Sequence, residues 1–529
     1  MPPKNARRKI SESPTNPKAE KRPRAFDVAD LYRGPVATEE TATEETLPLD
    51  EKLRQAYFWV ANHAIISPFY DIEYDDGPGQ KFTFGDRKIV VNLPSGQSYS
   101  SYVLLPLLNL GVRRRCLLVG GPGRGKTAIA ILMGVLAGYS LTDIRRAIQH
   151  GQPQMTIADL LGNPLPSTLV NAEKMEDVKI AWRKWLSMRI KIIDEYNRIP
   201  TRTQSALLTV MADNYAEILD QIYECPEAAW YLTANDDGGG GTYQVIEALR
   251  DRIDVVVKAL HFNTRFLNEL LLRIEDDVRP EDIVPPEIIF DNGEIDRMNR
   301  EIRSVRLPPE LRRRIEFFTA QFEFCEEGAR QLEYMTKDTV KLAAVDWHNV
   351  VNAGTGKDKS KDLGLQTQNG LSVRAMLTGL IYVKAMAYFR GAAEVDFEDV
   401  RQILPFVLHD KLVQYPDAPF FEKEGNGAFR TDLISWIRHL FNESCREYER
   451  LELDRDDPVK EMEREFESGL EGVSEDEVLE RLIRIERVLG EWSKGRKFYG
   501  HMFDDILKMK YLHQRYTNYL RWLQWKDGP

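Results

Sequence analysis

The chain has 529 residues, enough for two or three domains that each build a core. Apolar residues make up 43% and charged residues 29%, the balance of a globular protein rather than a disordered or fibrous one. The net charge of −11 counts against nucleic acid as a partner, and no apolar run approaches the ~20 residues that a membrane span needs.

Residues 1–48 are rich in Pro, Lys, Arg, Glu and Thr and are expected to form a disordered charged tail, basic first and acidic over 39–45. The tail lacks the apolar segment of a signal peptide. Cys116, Cys225, Cys325 and Cys445 are widely spaced with no CxxC pair, so reduced thiols and a cytoplasmic location are expected. EKLRQAYFWVANHAII has helical spacing, and FTFGDRKIVVNL reads as two strands around Gly-Asp, giving a small α+β extension over 49–93. Over 94–262 short apolar runs alternate with helical segments, the pattern of an α/β domain on a parallel sheet. After Asn263 amphipathic helices dominate, in one region over 263–412 and another over 413–529. In the last region Ser474 and Glu477 form a capping-box pattern ahead of a stripe of Val478, Leu482, Ile485 and Leu489. Tyr516, Tyr519, Leu520 and Leu523 make a second stripe. Both are read as packing surfaces.

The chemistry centres on two stretches. GGPGRGKT at 120–127 follows the apolar run CLLV and precedes a helical segment, the setting and spacing of a phosphate-binding loop. Gly120, Gly121, Pro122, Gly123, Arg124 and Gly125 let backbone N–H groups converge on phosphate oxygens, with Ala128 opening the helix whose positive end assists. Lys126 supplies a point charge for the β- and γ-phosphates of ATP, and the Thr127 hydroxyl can ligate Mg²⁺. In IKIIDEYNRIP an apolar strand ends in Asp194 and Glu195, at the carboxyl edge of the sheet. Asp194 would hold Mg²⁺ through water, and Glu195 would act as general base on the attacking water.

The stretch IIDEYNRIPTRTQSALLTVMADN resembles the Walker B region of MoxR-type AAA+ ATPases, a branch with an insert in its second helix. IQHGQPQMTIADLLG, YLTAND, GTYQVIEALRDRID and LSVRAML are similar to further segments of that family, in the same order, and the resemblance covers roughly residues 94–412. It implies an AAA+ core over 94–262 and an all-α lid over 263–412. It also implies that Asn235 is the sensor residue, placed to orient the lytic water or to touch the γ-phosphate, and that Arg252 is the arginine finger reaching a neighbouring subunit. Arg250 is the competing candidate for the finger. Arg374 would contact phosphate from the lid. Departures from the family pattern fall at Gln244 and Ile246, where prolines are usual, at Asp236, and at Ile253 after Asp251 and Arg252. The insertion GTGKDKSKDLGLQTQNG ahead of Arg374 is read as a flexible basic loop.

The resemblance implies a ring, hexameric by expectation, that hydrolyses ATP at subunit interfaces. It further implies remodelling or maturation of a protein client, with a von Willebrand factor A domain protein as partner. Residues 1–48 and 413–529 lie outside the resemblance and are the expected places for client or partner binding. Two other readings stand beside it: a motor stimulated by nucleic acid, and an oligomeric scaffold gated by ATP.

Overall fold

The computed structural model describes residues 47–66, 68–74, 80–85, 89–93, 97–172, 174, 177–235, 252–259, 261–277, 279–351, 362–495 and 498–526. The charged tail up to residue 46, the segment 236–251 with Arg250, and residues 352–361 of the insertion lie outside the described residues. Residues 47–529 form one compact unit.

Leu49, Leu53, Ala56 and Tyr57 recur at helical spacing and form the buried face of α1 (Leu49–Trp59), which runs into a single π-turn over Val60–Ala64. β1 (Ile72–Glu73) pairs with β4 (Ser98–Tyr99), and between them β2 (Lys81–Phe84) and β3 (Ile89–Asn92) form the expected antiparallel hairpin.

α2 (Ser101–Val112) leads into β5 (Arg115–Val119), the second strand of a five-stranded parallel sheet in the order β13–β5–β12–β9–β6. The others are β6 (Gln149–His150), β9 (Ile190–Asp194), β12 (Ala229–Ala234) and β13 (Val255–Lys258). A parallel sheet must be covered on both faces, and the side-chain alternation does this. Cys116, Leu118 and Tyr231 enter one core, whereas Leu117, Trp230 and Leu232 enter the other. The carboxyl ends of β5, β9 and β12 then lie along one edge.

Two antiparallel hairpins interrupt the α/β pattern, and the sequence reading placed neither. β7 (Gly162–Pro164) pairs with β8 (Ile180–Trp182), and β10 (Tyr215–Ile218) pairs with β11 (Gln221–Glu224). The Trp182 and Tyr223 rings, 5.4 Å apart, join the two.

Among the described residues no strand follows β13. The helix Asn292–Ser304 lies directly on α2: Asn299 donates to the Gly111 carbonyl at 2.6 Å, and a Cβ at Gly111 would sit 2.7 Å from Ile302. The helix Val373–Phe389 runs antiparallel to α2. Its Thr378 bonds Asp254 just before β13, its Tyr382 bonds Asn109, and its Phe389 ring lies 5.3 Å from Tyr99 beside the start of α2. Its first turn therefore sits at the amino edge of the sheet.

The C-terminal helices Pro458–Glu467, Glu475–Trp492 and Gly500–Lys526 gather around Val478, Leu482, Ile485, Met509, Leu512 and Tyr516, so both predicted stripes pack. The Ser474–Glu477 capping box is formed. On the helix Pro309–Ala320, Arg313 bonds Asp457 at 2.6 Å and Asp505 at 3.1 Å, while Arg314 bonds Glu449 and Asp454. All four cysteines are free and buried.

The flexible-loop reading of the insertion needs correction over 362–370. Leu363–Gln366 is a 3₁₀ turn in which Gly364 and Gln366 are buried. Trp436 donates to Gln366 at 3.0 Å, and the buried Lys337 amine donates to the carbonyls of Gly364 and Thr367 and to the Thr367 hydroxyl. Burial pushes the Lys337 amine down to about 7, from its ordinary 10.5. Between those values only the unfolded chain keeps the proton, so this group makes stability rise with pH across that window. We expect Lys337→Met to cost about 3 kcal/mol by stranding these acceptors. Denaturant midpoints of the variant should also show a flatter rise from pH 7 to pH 10; equal slopes in the two proteins would contradict the buried amine.

Candidate functional site

β5 ends at Val119 and the chain turns through Gly120, Gly123 and Gly125, all at positive φ, into α3 (Lys126–Leu136). At Gly120 the requirement is steric as well, because a Cβ there would approach the Ala259 carbonyl to 2.9 Å. The Lys126 side chain is buried beneath the loop, donating to the carbonyls of Gly120 and Gly121 at 2.7 and 2.8 Å and to Asn235 Oδ1 at 2.8 Å. Thr127, one residue further, presents Oγ1 to Asp194 Oδ1 at 2.7 Å.

Asp194 closes β9, and Thr233 on the adjacent strand β12 donates to the same Asp194 oxygen at 2.6 Å. Glu195 then takes a left-handed conformation, φ 53°, and its N–H donates to Thr233 Oγ1 at 2.9 Å. Asn235, the first residue past β12, donates from Nδ2 to Glu195 Oε1 at 2.8 Å. Four of the residues singled out in sequence, Lys126, Thr127, Asp194 and Glu195, thus meet Asn235 at one edge of the sheet. A chemical consequence follows from the donor types. Lys126 can only donate, so its bond fixes the Asn235 amide with the NH₂ toward Glu195.

The structure supplies neighbours that the sequence reading missed. His150 Nδ1 lies 3.3 Å from Asp194 Oδ2. The Gly151 N–H donates to the Asp194 carbonyl at 2.7 Å, and a Cβ at Gly151 would overlap the Glu195 carbonyl at 2.2 Å. Only glycine fits there. Arg198 Nε lies 3.3 Å from Glu195 Oε2. Below the edge, Lys191 donates to the carbonyls of Trp185, Leu186 and Met188 and packs against the Trp185 and Trp230 rings; burial lowers its amine to about 8. A basic residue in an otherwise apolar strand was the visible signal for Lys191.

Beside the loop opens a cavity of about 480 Å³, lined by Ile65, Pro68 and Phe69 of the N-terminal extension together with Tyr102, His261 and Leu270. Tyr102 donates to the Arg124 carbonyl at 3.2 Å, and Arg273 donates to the carbonyls of His63 and Ala64, tying the helix Leu267–Glu275 to the extension. The apolar cluster after the first helix, Ile65 to Phe69, was its signal in the sequence.

Two arginines stand apart from this edge. Arg252 precedes β13, whose Val255 pairs with Cys116 near the start of β5, and it donates to the Leu208 carbonyl on the helix Thr201–Asp213 at 3.1 Å. Arg374, exposed in the first turn of Val373–Phe389, lies close enough to Arg115 to depress its guanidinium along with the dominant effect of burial. Arg115 begins β5, and four strand steps of about 3.3 Å put the phosphate loop roughly 13 Å further on. Arg374 therefore lies toward the amino edge of the sheet, away from the phosphate loop of its own chain. The helix that carries it is anchored through Thr378 to Asp254 at the opposite edge.

The description of the matching family is ATPase family associated with various cellular activities (AAA), over residues 115–255, and a second match, over residues 361–429, is to the AAA lid domain. Chaperone MoxR1 of Mycobacterium tuberculosis is 24% identical over 324 residues, which span 60% of this chain and 71% of that protein. A crystal structure of a candidate ATPase from Cytophaga hutchinsonii is 17% identical with a TM-score of 0.47, covering 74% of this chain and 94% of that one. No helix among the described residues is long and apolar enough to cross a membrane.

Proposed function

We propose that the chain is an ATP-hydrolysing AAA+ protein of the MoxR type, as its family matches and chaperone relative support, and that it works as a ring with ATP bound where two copies meet. Residues 120–128 wrap the triphosphate, and Lys126 trades its loop carbonyls for phosphate oxygens. The oxygens of Thr127 and Asp194, 2.7 Å apart, are the hard donors that Mg²⁺ prefers. When bound there, Mg²⁺ offsets the charge on the β- and γ-phosphates. Glu195, to which Asn235 donates, takes a proton from the attacking water. The cavity lined by Phe69, Tyr102 and His261 accepts the nucleoside.

Arg252 and Arg374 act on the neighbour's nucleotide in this reading. Both belong to the edge facing away from their own phosphate loop, and Asp254 ties them to one frame through Arg115 and Thr378. The separation of these two arginines from the Lys126–Asn235–Glu195 cluster is the observation that carries the ring. The work done by the ring is remodelling or maturation of a protein client, as the name of the chaperone relative suggests, and the partner is the von Willebrand factor A domain protein that the sequence resemblance implies. The test is affinity purification of the Glu195→Gln protein with ATP from its own cells, followed by light scattering. A ring carrying a co-purified client is the expected product. A monomer under saturating ATP would overturn the ring, and a ring with no protein enriched over wild type would overturn the client.

A further inference from the structure

The structure places Arg198 against the acid proposed as general base, and we propose that Arg198 is the residue that keeps this carboxylate in position once phosphate has bound. The inference rests on the reading of Glu195 as base.

Glu195 is gripped at both oxygens: Asn235 Nδ2 reaches Oε1 at 2.8 Å, and Arg198 Nε stands 3.3 Å from Oε2. The backbone builds this second grip. Glu195 in the left-handed region starts a single 3₁₀ turn over Tyr196–Arg198, closed by the bond from the Arg198 N–H to the Glu195 carbonyl at 2.9 Å. Tyr196 and Ile199 anchor the turn in the core on either side. Gly151, packed against the Glu195 carbonyl, holds it from the far side. Arg198 is thereby folded back over the residue three positions before it.

As a contribution to stability, a half-exposed pair at this spacing is worth little. Its importance is orientational. A carboxylate held at one oxygen can still swing, whereas one held at two has a fixed plane. The two grips also respond differently to nucleotide. Asn235 is itself held by Lys126, whose amine donates to Asn235 Oδ1 at 2.8 Å. Phosphate oxygens compete for that same amine, so the Lys126–Asn235–Glu195 run loosens at its first link when the triphosphate enters. Arg198 has no part in that competition. Its hold on Glu195 therefore persists at the moment when the acid must take a proton from water. Arg198 touches neither phosphate nor water in this scheme and is a positioning residue.

The experiment compares Arg198→Ala and Arg198→Lys, each alone and combined with Glu195→Gln, by steady-state ATPase rate, affinity for a fluorescent ATP analogue, and light scattering. Arg198→Ala is expected to lower kcat about 10-fold, with nucleotide affinity within about 2-fold and assembly unchanged. Arg198→Lys should recover part of the rate. On the Glu195→Gln background Arg198→Ala should remove nothing more, because the charge it positions is already gone. Wild-type kcat in Arg198→Ala would overturn the inference, as would an equal further loss on the Glu195→Gln background or a failure to assemble. Full turnover in Glu195→Gln alone would instead overturn the assignment of the base on which the inference rests.

Discussion

Glu195→Gln protein is expected to bind ATP with near wild-type affinity and to hydrolyse it about 10²- to 10⁴-fold more slowly. The exchange is nearly isosteric, so the left-handed backbone at 195, its N–H bond to Thr233 and the glycine contact at 151 all survive. The side-chain carbonyl of Gln can still accept from Asn235. What disappears is the capacity to take a proton. None of the groups that wrap phosphate is touched: Lys126 and Thr127 lie on α3 and Asp194 on β9. Equilibrium binding of a fluorescent ATP analogue, set beside phosphate release, separates the two effects. Undiminished release would remove Glu195 from the reaction, and lost binding would mean that the edge of the sheet had been disrupted.

The second large effect concerns what one copy lends another. Arg252→Ala protein should lose about 10³-fold in rate, because in the proposed ring it lacks the positive charge that meets the neighbour's transferring phosphoryl group. Lys126→Ala protein should be inactive for a different reason, having lost the cation under its own loop. Mixed together, the two should regain part of the activity, with a maximum at an intermediate ratio. A Lys126→Ala copy retains Arg252 and can present it to the intact loop of an Arg252→Ala neighbour. The same logic applies to Arg374→Ala, whose helix starts at the same edge of the sheet. Absence of any restoration, at every ratio, would return Arg252 to a role within its own subunit or transfer the finger to Arg250.

How much of this was readable beforehand divides along the range of the forces involved. The phosphate loop was legible because its fixed positions are set by local backbone geometry: left-handed glycines, then a lysine and a threonine at the head of a helix. The strand ending in Asp194 and Glu195 was legible because a buried parallel strand is apolar throughout and stops where its charges start. The capping box at Ser474 was legible for a similarly local reason. The place of Arg374 was not legible because it depends on Thr378 meeting Asp254 and Tyr382 meeting Asn109, pairs separated by more than a hundred residues. Residues 362–370 looked like a loose loop from their Gly, Gln and Thr content. Their order comes from Lys337 and Trp436, which arrive from elsewhere in the chain. Gly151 and Arg198 lie within the segments that resemble the family but showed no role in sequence, and only the turn at Glu195 brings them to the acid.

The pairing of Arg313 with Asp457 and Asp505, and of Arg314 with Glu449 and Asp454, has a mechanical consequence. Two adjacent guanidiniums on one helix clamp four carboxylates from the C-terminal region, so that region is geared to the helix Pro309–Ala320 instead of hinging freely on it. Beyond Asp505 the last helix continues for roughly 20 residues, or roughly 30 Å. It is a lever arm with its fulcrum at the clamp. Each 10° turn of the clamped helix would sweep the far end, with its exposed Trp522 and Trp525, through roughly 5 Å. Small rotations of the clamped helix would thus become long strokes at the tip.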